Sequence, residues 1–130
     1  MKNSTISIDK LLNTIQILRG PQGCPWDKKQ TTDSLQKYLK EEVGELLQAI
    51  DNDDTGNICE EIGDVLYILI MLAEIHAENE QFTFNDSINE IDAKLIRRHP
   101  HVFAGKEIQN DEDLRFQWEK IKREEKKGII

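Results

Sequence analysis

The sequence predicts an all-α fold, and three observations predict it. Apolar residues recur at helical spacing in four or five separate stretches. Breakers and capping residues fall between those stretches, and nothing longer than the short Gln81–Phe84 patch reads as a strand. The longest apolar run, Val65–Ala73, has nine residues between Asp64 and Glu74, so it suits the centre of a helical bundle. A membrane span needs about 20.

Ile8, Leu11, Leu12, Ile15 and Leu18 mark a first amphipathic helix over residues 8–19, stopped at Gly20-Pro21. Gly20 to Thr32 holds Gly20, Pro21, Gly23 and Pro25 and reads as a loop, with Trp26 a plug over the end of a core. Thr32 or Asp33 is suited to cap the second helix. Its apolar side is Leu35, Tyr38, Leu39, Val43, Leu46, Leu47 and Ile50, ending at Asp51. The third helix, Thr55 to Glu78, is apolar on nearly every side from Ile62 to Ile75, the pattern of a central helix. What its neighbours leave uncovered predicts a homo-oligomer. Thr83 and Asp86 resemble a capping box for a fourth helix that buries Ile88, Ile91 and Leu95 and ends at Arg98 before His99-Pro100. A linker, His101 to Asn110, leads to a last helix over 111–127 with the stripe Leu114, Trp118 and Ile121.

At this length the chain is expected to be one domain, 1–130, able to bury a core without disulfides or structural metal. The net charge of −8, from 25 acidic and 17 basic residues, argues against a nucleic-acid polymer as partner. Cys24 and Cys59 lack metal-ligand spacing and read as free thiols of a reducing compartment. The N-terminus, with Lys2, Ser4, Thr5 and Asp9, lacks the apolar centre of a signal peptide. Together these predict a cytoplasmic protein without a membrane partner.

The chemistry lies between Glu41 and Asp64. Glu42 with Glu45, and Glu61 with Asp64, are carboxylate pairs three residues apart, side by side on their helices. Both pairs adjoin apolar stripes, where carboxylates are seldom placed unless paired or metal-bound. Brought together, the four form a cage for a hard divalent cation. The absence of histidine and thiol favours Mg²⁺ or Mn²⁺ over zinc or copper. A di-iron centre needs Glu-x-x-His, which is missing here. Magnesium held by carboxylates serves substrate phosphates, and Lys94 and Arg98, one turn apart, suit a phosphate tail. The competing reading of that basic cluster, which includes Arg97, is a cationic helix C-terminus. Gly44 and Gly63 lie inside the two acidic pairs and suggest a close approach of two backbones.

Glu41-Glu42-Val43-Gly44-Glu45 followed by Glu61-Ile62-Gly63-Asp64 resembles the carboxylate pattern of the MazG family of nucleoside triphosphate pyrophosphohydrolases, within the all-α NTP pyrophosphatases. The likeness extends to Leu18-Arg19, Cys24-Pro25-Trp26-Asp27, Gln30-Thr31, Lys94 to Phe103 and Trp118 to Lys122, and so covers roughly residues 8 to 125. The resemblance implies a four-helix core with peripheral helices, working as a dimer. It implies Mg²⁺-dependent hydrolysis of (d)NTPs to (d)NMP and pyrophosphate, in house-cleaning or nucleotide-pool control. By the same resemblance Glu42, Glu45, Glu61 and Asp64 bind magnesium, Glu42 and Glu45 thereby serving catalysis. Lys94, Arg97 and Arg98 contact the triphosphate, Trp118 lies by the nucleotide, and Glu41 orients or activates the attacking water. Many members carry two tandem domains, whereas this sequence holds one, and its Trp26 and Arg97–Phe103 segments look like the first of the two. The alternatives are a non-catalytic nucleotide-binding or regulatory module, or a base-selective dUTP or dCTP pyrophosphatase.

Overall fold

The computed structural model describes residues 7–130, all helix and connection, with no strand among the described residues. The N-terminal reading at Lys2, Ser4 and Thr5 falls outside them. Two compact units meet in sequence at Phe84 and Asn85.

In the first unit, α1 (Ile8–Arg19) starts under a Ser7 cap, whose Oγ accepts from the Lys10 N–H, and stops at Gly20. The segment read as a loop contains a short helix, α2 (Pro25–Lys29), because Pro25 sits in its first turn, where a missing N–H costs nothing. α3 (Thr32–Asp51) begins one residue earlier than expected. Its cap is Thr31, in a reciprocal capping box with Ser34, rather than Thr32 or Asp33. Asp54 caps α4 (Thr55–Glu78) by accepting from the Asn57 N–H at 3.2 Å.

The core is Ile15, Leu35, Ile68, Ile70, Met71 and Ile75, with Leu11, Leu12, Trp26, Tyr38 and Leu39 packed against it. Four of the six buried residues come from α4, as expected of a central helix. Trp26 lies edge-on to Tyr38 at 5.0 Å, which agrees with a plug. The centrality is limited to the second half of α4. Ile62 and Leu69 are exposed, as are Val43, Leu47 and Ile50 on α3, apolar surface that the neighbouring helices leave uncovered. Gly44 and Gly63 also correct an expectation, since a Cβ at either would meet nothing within 4 Å.

A polar cluster ties the ends of this unit together. Arg19 donates to both carboxylate oxygens of Glu78, at 2.7 and 2.9 Å, and to the backbone carbonyls of Asp27 and Gln30. The buried Asp27 accepts from the Tyr67 hydroxyl, so α1, α2 and α4 share one anchored junction.

In the second unit, α5 (Phe84–Arg98) buries none of its residues. Ile88, Ile91 and Leu95, expected in a core, are exposed. Within the unit α7 meets α5 at its charged end and leaves that stripe bare. The stretch after His99, read as linker, holds α6 (Pro100–Phe103), again opened by a proline. α7 (Asp111–Lys126) has the Asn110 side chain as cap, with Gln117 and Ile121 buried.

Gly23 is the one glycine the packing demands, because a Cβ there would lie 2.0 Å from the Leu18 carbonyl oxygen. Gly23→Ala is expected to cost roughly 3 kcal/mol or more in a urea melt. Gly63→Ala, in open space, is expected to gain about 1 kcal/mol from helix propensity. Equal effects of the two would contradict this packing.

Candidate metal centre

Three residues, Asn52 to Asp54, join α3 to α4, and Asp53 takes a left-handed φ of 51° that tightens the turn. The helices therefore run antiparallel, and Glu42 and Glu45 on α3 face Glu61 and Asp64 on α4. One carboxylate oxygen from each of the four lies within 4.8 Å of all the others. Glu42, Glu61 and Asp64 are half-buried and Glu45 is exposed.

Like charges so close, at a partly desolvated site, resist ionisation. Burial first, then Glu45 and Asp64, push the Glu61 carboxyl up to about 7. Burial raises Glu42 as well, followed by Glu45, Asp64 and its neighbour Glu41. The Oε2 atoms of Glu42 and Glu61 are shielded from solvent yet have no hydrogen-bond partner. Buried acceptors are ordinarily satisfied, so this pair suits a cation as its partner. An all-oxygen donor set fits a hard divalent ion. The residues present therefore suit a metal.

Glu41 is exposed beside Glu42, and Glu60 beside Glu61 is exposed as well. In the second unit, Arg97 Nε donates to Glu125 at 2.6 Å and Arg98 Nη2 donates to it at 2.7 Å. The two arginines hold the Glu125 carboxyl down at about 2. The Arg98 guanidinium also lies 5.1 Å from the centre of the Trp118 ring. Lys94 forms no ion pair among the described residues. The sequence reading missed Glu125 as the shared acceptor and the Arg19–Asp27–Tyr67 junction. Arg19 and Asp27 stood inside the quoted motifs, but spacing offers no signal for contacts 40 or more residues apart.

An all-helical chain with a four-carboxylate hairpin defines a class of helical proteins built around a candidate metal centre. A family model described as the MazG nucleotide pyrophosphohydrolase domain matches residues 30–103. The chain belongs to that family. It is 50% identical over 112 residues to Bacillus subtilis "Uncharacterized protein YabN", covering 86% of this chain and 23% of that protein. It is 43% identical over 120 residues to the Escherichia coli (strain K12) "Nucleoside triphosphate pyrophosphohydrolase", covering 92% of this chain and 46% of the other. The Thermotoga maritima "Nucleoside triphosphate pyrophosphohydrolase/pyrophosphatase MazG" is 44% identical over 126 residues, covering 97% and 48%. The chain thus spans half the length or less of these curated relatives. The crystal structure of a mazG-related protein from Thermotoga maritima matches with a TM-score of 0.74 and 28% identity. That match covers 89% of this chain and 99% of the other.

Because the Glu61 carboxyl sits near 7, well above its unfolded value of about 4.3, the metal-free fold holds that proton more tightly than the unfolded chain. Its contribution to stability is full below the unfolded value and lost as pH rises through about 7. The melting temperature in EDTA is therefore expected to fall between about pH 5 and about pH 8, other groups being equal. Added Mg²⁺ should raise it more at the higher pH, where the ion meets charged carboxylates. Glu61→Gln should stabilise the metal-free protein and abolish the Mg²⁺ shift. An undiminished Mg²⁺ shift in that variant would remove Glu61 from the ligand set.

Proposed function

We propose that this chain is a Mg²⁺-dependent nucleoside triphosphate pyrophosphohydrolase, cleaving between the α- and β-phosphates to give a monophosphate and pyrophosphate. The observation that carries it is the convergence of Glu42, Glu45, Glu61 and Asp64, with two shielded oxygens left unpartnered. The names of the Escherichia coli and Thermotoga maritima relatives support the reaction class. Magnesium, or manganese in its place, supplies charge neutralisation at the phosphate oxygens and acidifies water when bound. The four carboxylates hold and orient that ion. Glu41, exposed at the edge of the cluster, accepts the proton of the attacking water. Lys94, Arg97 and Arg98 bind the polyphosphate, and Trp118, already against Arg98, lies by the nucleotide.

The finer assignments belong to the same proposal. Residues 1–130 act as one functional domain, which the family match across the Phe84–Asn85 boundary supports. The working unit is a homodimer or larger homo-oligomer with a four-helix core, which exposed Val43, Leu47, Ile50 and Ile62 support. Two free cysteines suit a cytoplasmic role in clearing or balancing nucleotide pools. No helix among the described residues is long and apolar enough to cross a membrane.

A panel of NTPs and dNTPs with Mg²⁺, assayed for pyrophosphate and monophosphate, tests the proposal. Equal amounts of the two products are expected. Orthophosphate instead, or nucleotide binding without turnover, would overturn it in favour of another hydrolase or a regulatory module. Glu45→Gln and Asp64→Asn are expected to lower kcat by at least about 100-fold, the scale of lost charge stabilisation, with helical circular dichroism retained. Wild-type rates in both would show the cluster to be no part of the reaction.

A further inference from the structure

In the second unit a single carboxylate, Glu125, holds two arginines that the proposed reaction uses. Arg97 and Arg98 are adjacent on the last turn of α5, so their side chains leave the helix about 100° apart. α7 brings Glu125, one turn after the buried Ile121, to both of them. Arg97 Nε donates to its Oε2 at 2.6 Å, and Arg98 Nη2 donates to its Oε1 at 2.7 Å. A longer bond of 3.3 Å runs from Arg98 Nε to Oε2. Trp118, two turns before Glu125 on α7, has its ring centre 5.1 Å from the Arg98 guanidinium. Arg98 is therefore held by an edge and against a ring, and Arg97 by an edge.

The bonds to Glu125 take up the Nε side of each guanidinium and leave terminal nitrogens over. Among the described residues, Nη1 and Nη2 of Arg97 and Nη1 of Arg98 donate to no protein acceptor. A guanidinium is planar, with five donors in a fixed fork, so holding one edge sets the direction of the remaining donors. Donors set in this way suit an anion with several oxygens, such as a polyphosphate. The carboxylate also offsets the mutual repulsion of two neighbouring cations. An anion that displaced it would meet a cost. The Glu125 and Arg98 side chains are only 15% and 17% exposed, so a displaced Glu125 would be a shielded charge without its partners. Arg97 is the more open of the two arginines, at 34%. With Arg98 and then Arg97 holding its carboxyl down at about 2, Glu125 stays ionised throughout the neutral range.

We propose that Glu125 is a positioning residue of the polyphosphate site, which orients the Arg97 and Arg98 guanidinium groups towards phosphate oxygens and stays bonded to both when the anion binds. This rests on the proposed assignment of Lys94, Arg97 and Arg98 to the polyphosphate. The test is calorimetric titration of inorganic tripolyphosphate, with Mg²⁺ present, into the wild-type protein, Glu125→Gln and Glu125→Asp. Helical circular dichroism at the titration temperature identifies the folded variants. Removing a negative charge would, through the net field alone, tighten an anion, whereas loss of positioning weakens it. Glu125→Gln keeps the shape but turns an amide N–H towards an arginine, and is expected to bind tripolyphosphate about tenfold more weakly. Glu125→Asp keeps the charge on a chain too short to serve both arginines, and should recover part of this, to about threefold weaker. Unaltered or tighter binding by folded Glu125→Gln would overturn the positioning role while leaving the hydrolysis reading standing. Should that variant not fold, unaltered binding by Glu125→Asp would overturn it equally. Wild-type protein that binds no tripolyphosphate would overturn the assignment of the basic cluster itself.

Discussion

The antiparallel register of α3 against α4 is the constraint on which the site depends. It opposes Leu35 and Leu39 to Ile68 and Leu72, and the same register opposes Glu42 and Glu45 to Glu61 and Asp64. The first set is attractive and the second, without a cation, repulsive. A slip by one residue would turn both pairs off their faces by about 100°. The apolar contacts therefore fix the position at which the charges must meet, and the chain bears the repulsion because it cannot relieve it without unpacking the core. The Glu61 carboxyl pushed up to about 7, with Glu42 raised beside it, is the physical trace of that compulsion.

Register alone does not hold a hairpin in place. The Arg19 guanidinium, almost fully covered, takes the Glu78 carboxylate on one side and the Asp27 and Gln30 carbonyls on the other. Leaving such a cation buried and unpaired would be costly, so the end of α4 is bound to α1 and α2 as a condition of burying it. Tyr67, raised by burial and by Asp27, adds a second tie halfway along α4. The turn after α1 allows this only because Gly23 lets its backbone press against Leu18. A loop that composition marks as irregular is thus the clamp on the helix that carries Glu61 and Asp64.

Most of this was legible in the sequence where the signal is local. The bounds of α1, α3, α4 and α5 follow from capping residues, prolines and periodicity, and the four ligand candidates follow from repeated i, i+3 spacing. The misses share a cause. A proline reads as a breaker, yet Pro25 and Pro100 each open a helix, because the first turn has no use for the missing N–H. Ile88, Ile91 and Leu95 form a genuine stripe but stay exposed, since periodicity reports that a face is apolar and not what lies opposite. Glu125 could not be picked from a run of charges, because its role is set by two arginines about 27 residues away.

The distribution of unfavourable features along α4 is itself informative. Every buried residue of this helix lies between Ile68 and Ile75, whereas the half from Thr55 to Asp64 buries none. That half carries Gly63 in open space, Ile62 exposed, and carboxylates crowded against α3. None of these is stabilising in the isolated chain. A helix selected for stability alone would have alanine at 63 and a neutral partner for Glu42. Their concentration in one half, while every buried residue lies in the other, separates the helix into a segment that secures the fold and a segment that carries the candidate metal ligands. Glu61 and Asp64 stand at the border of the two, half-buried and next to the packed half.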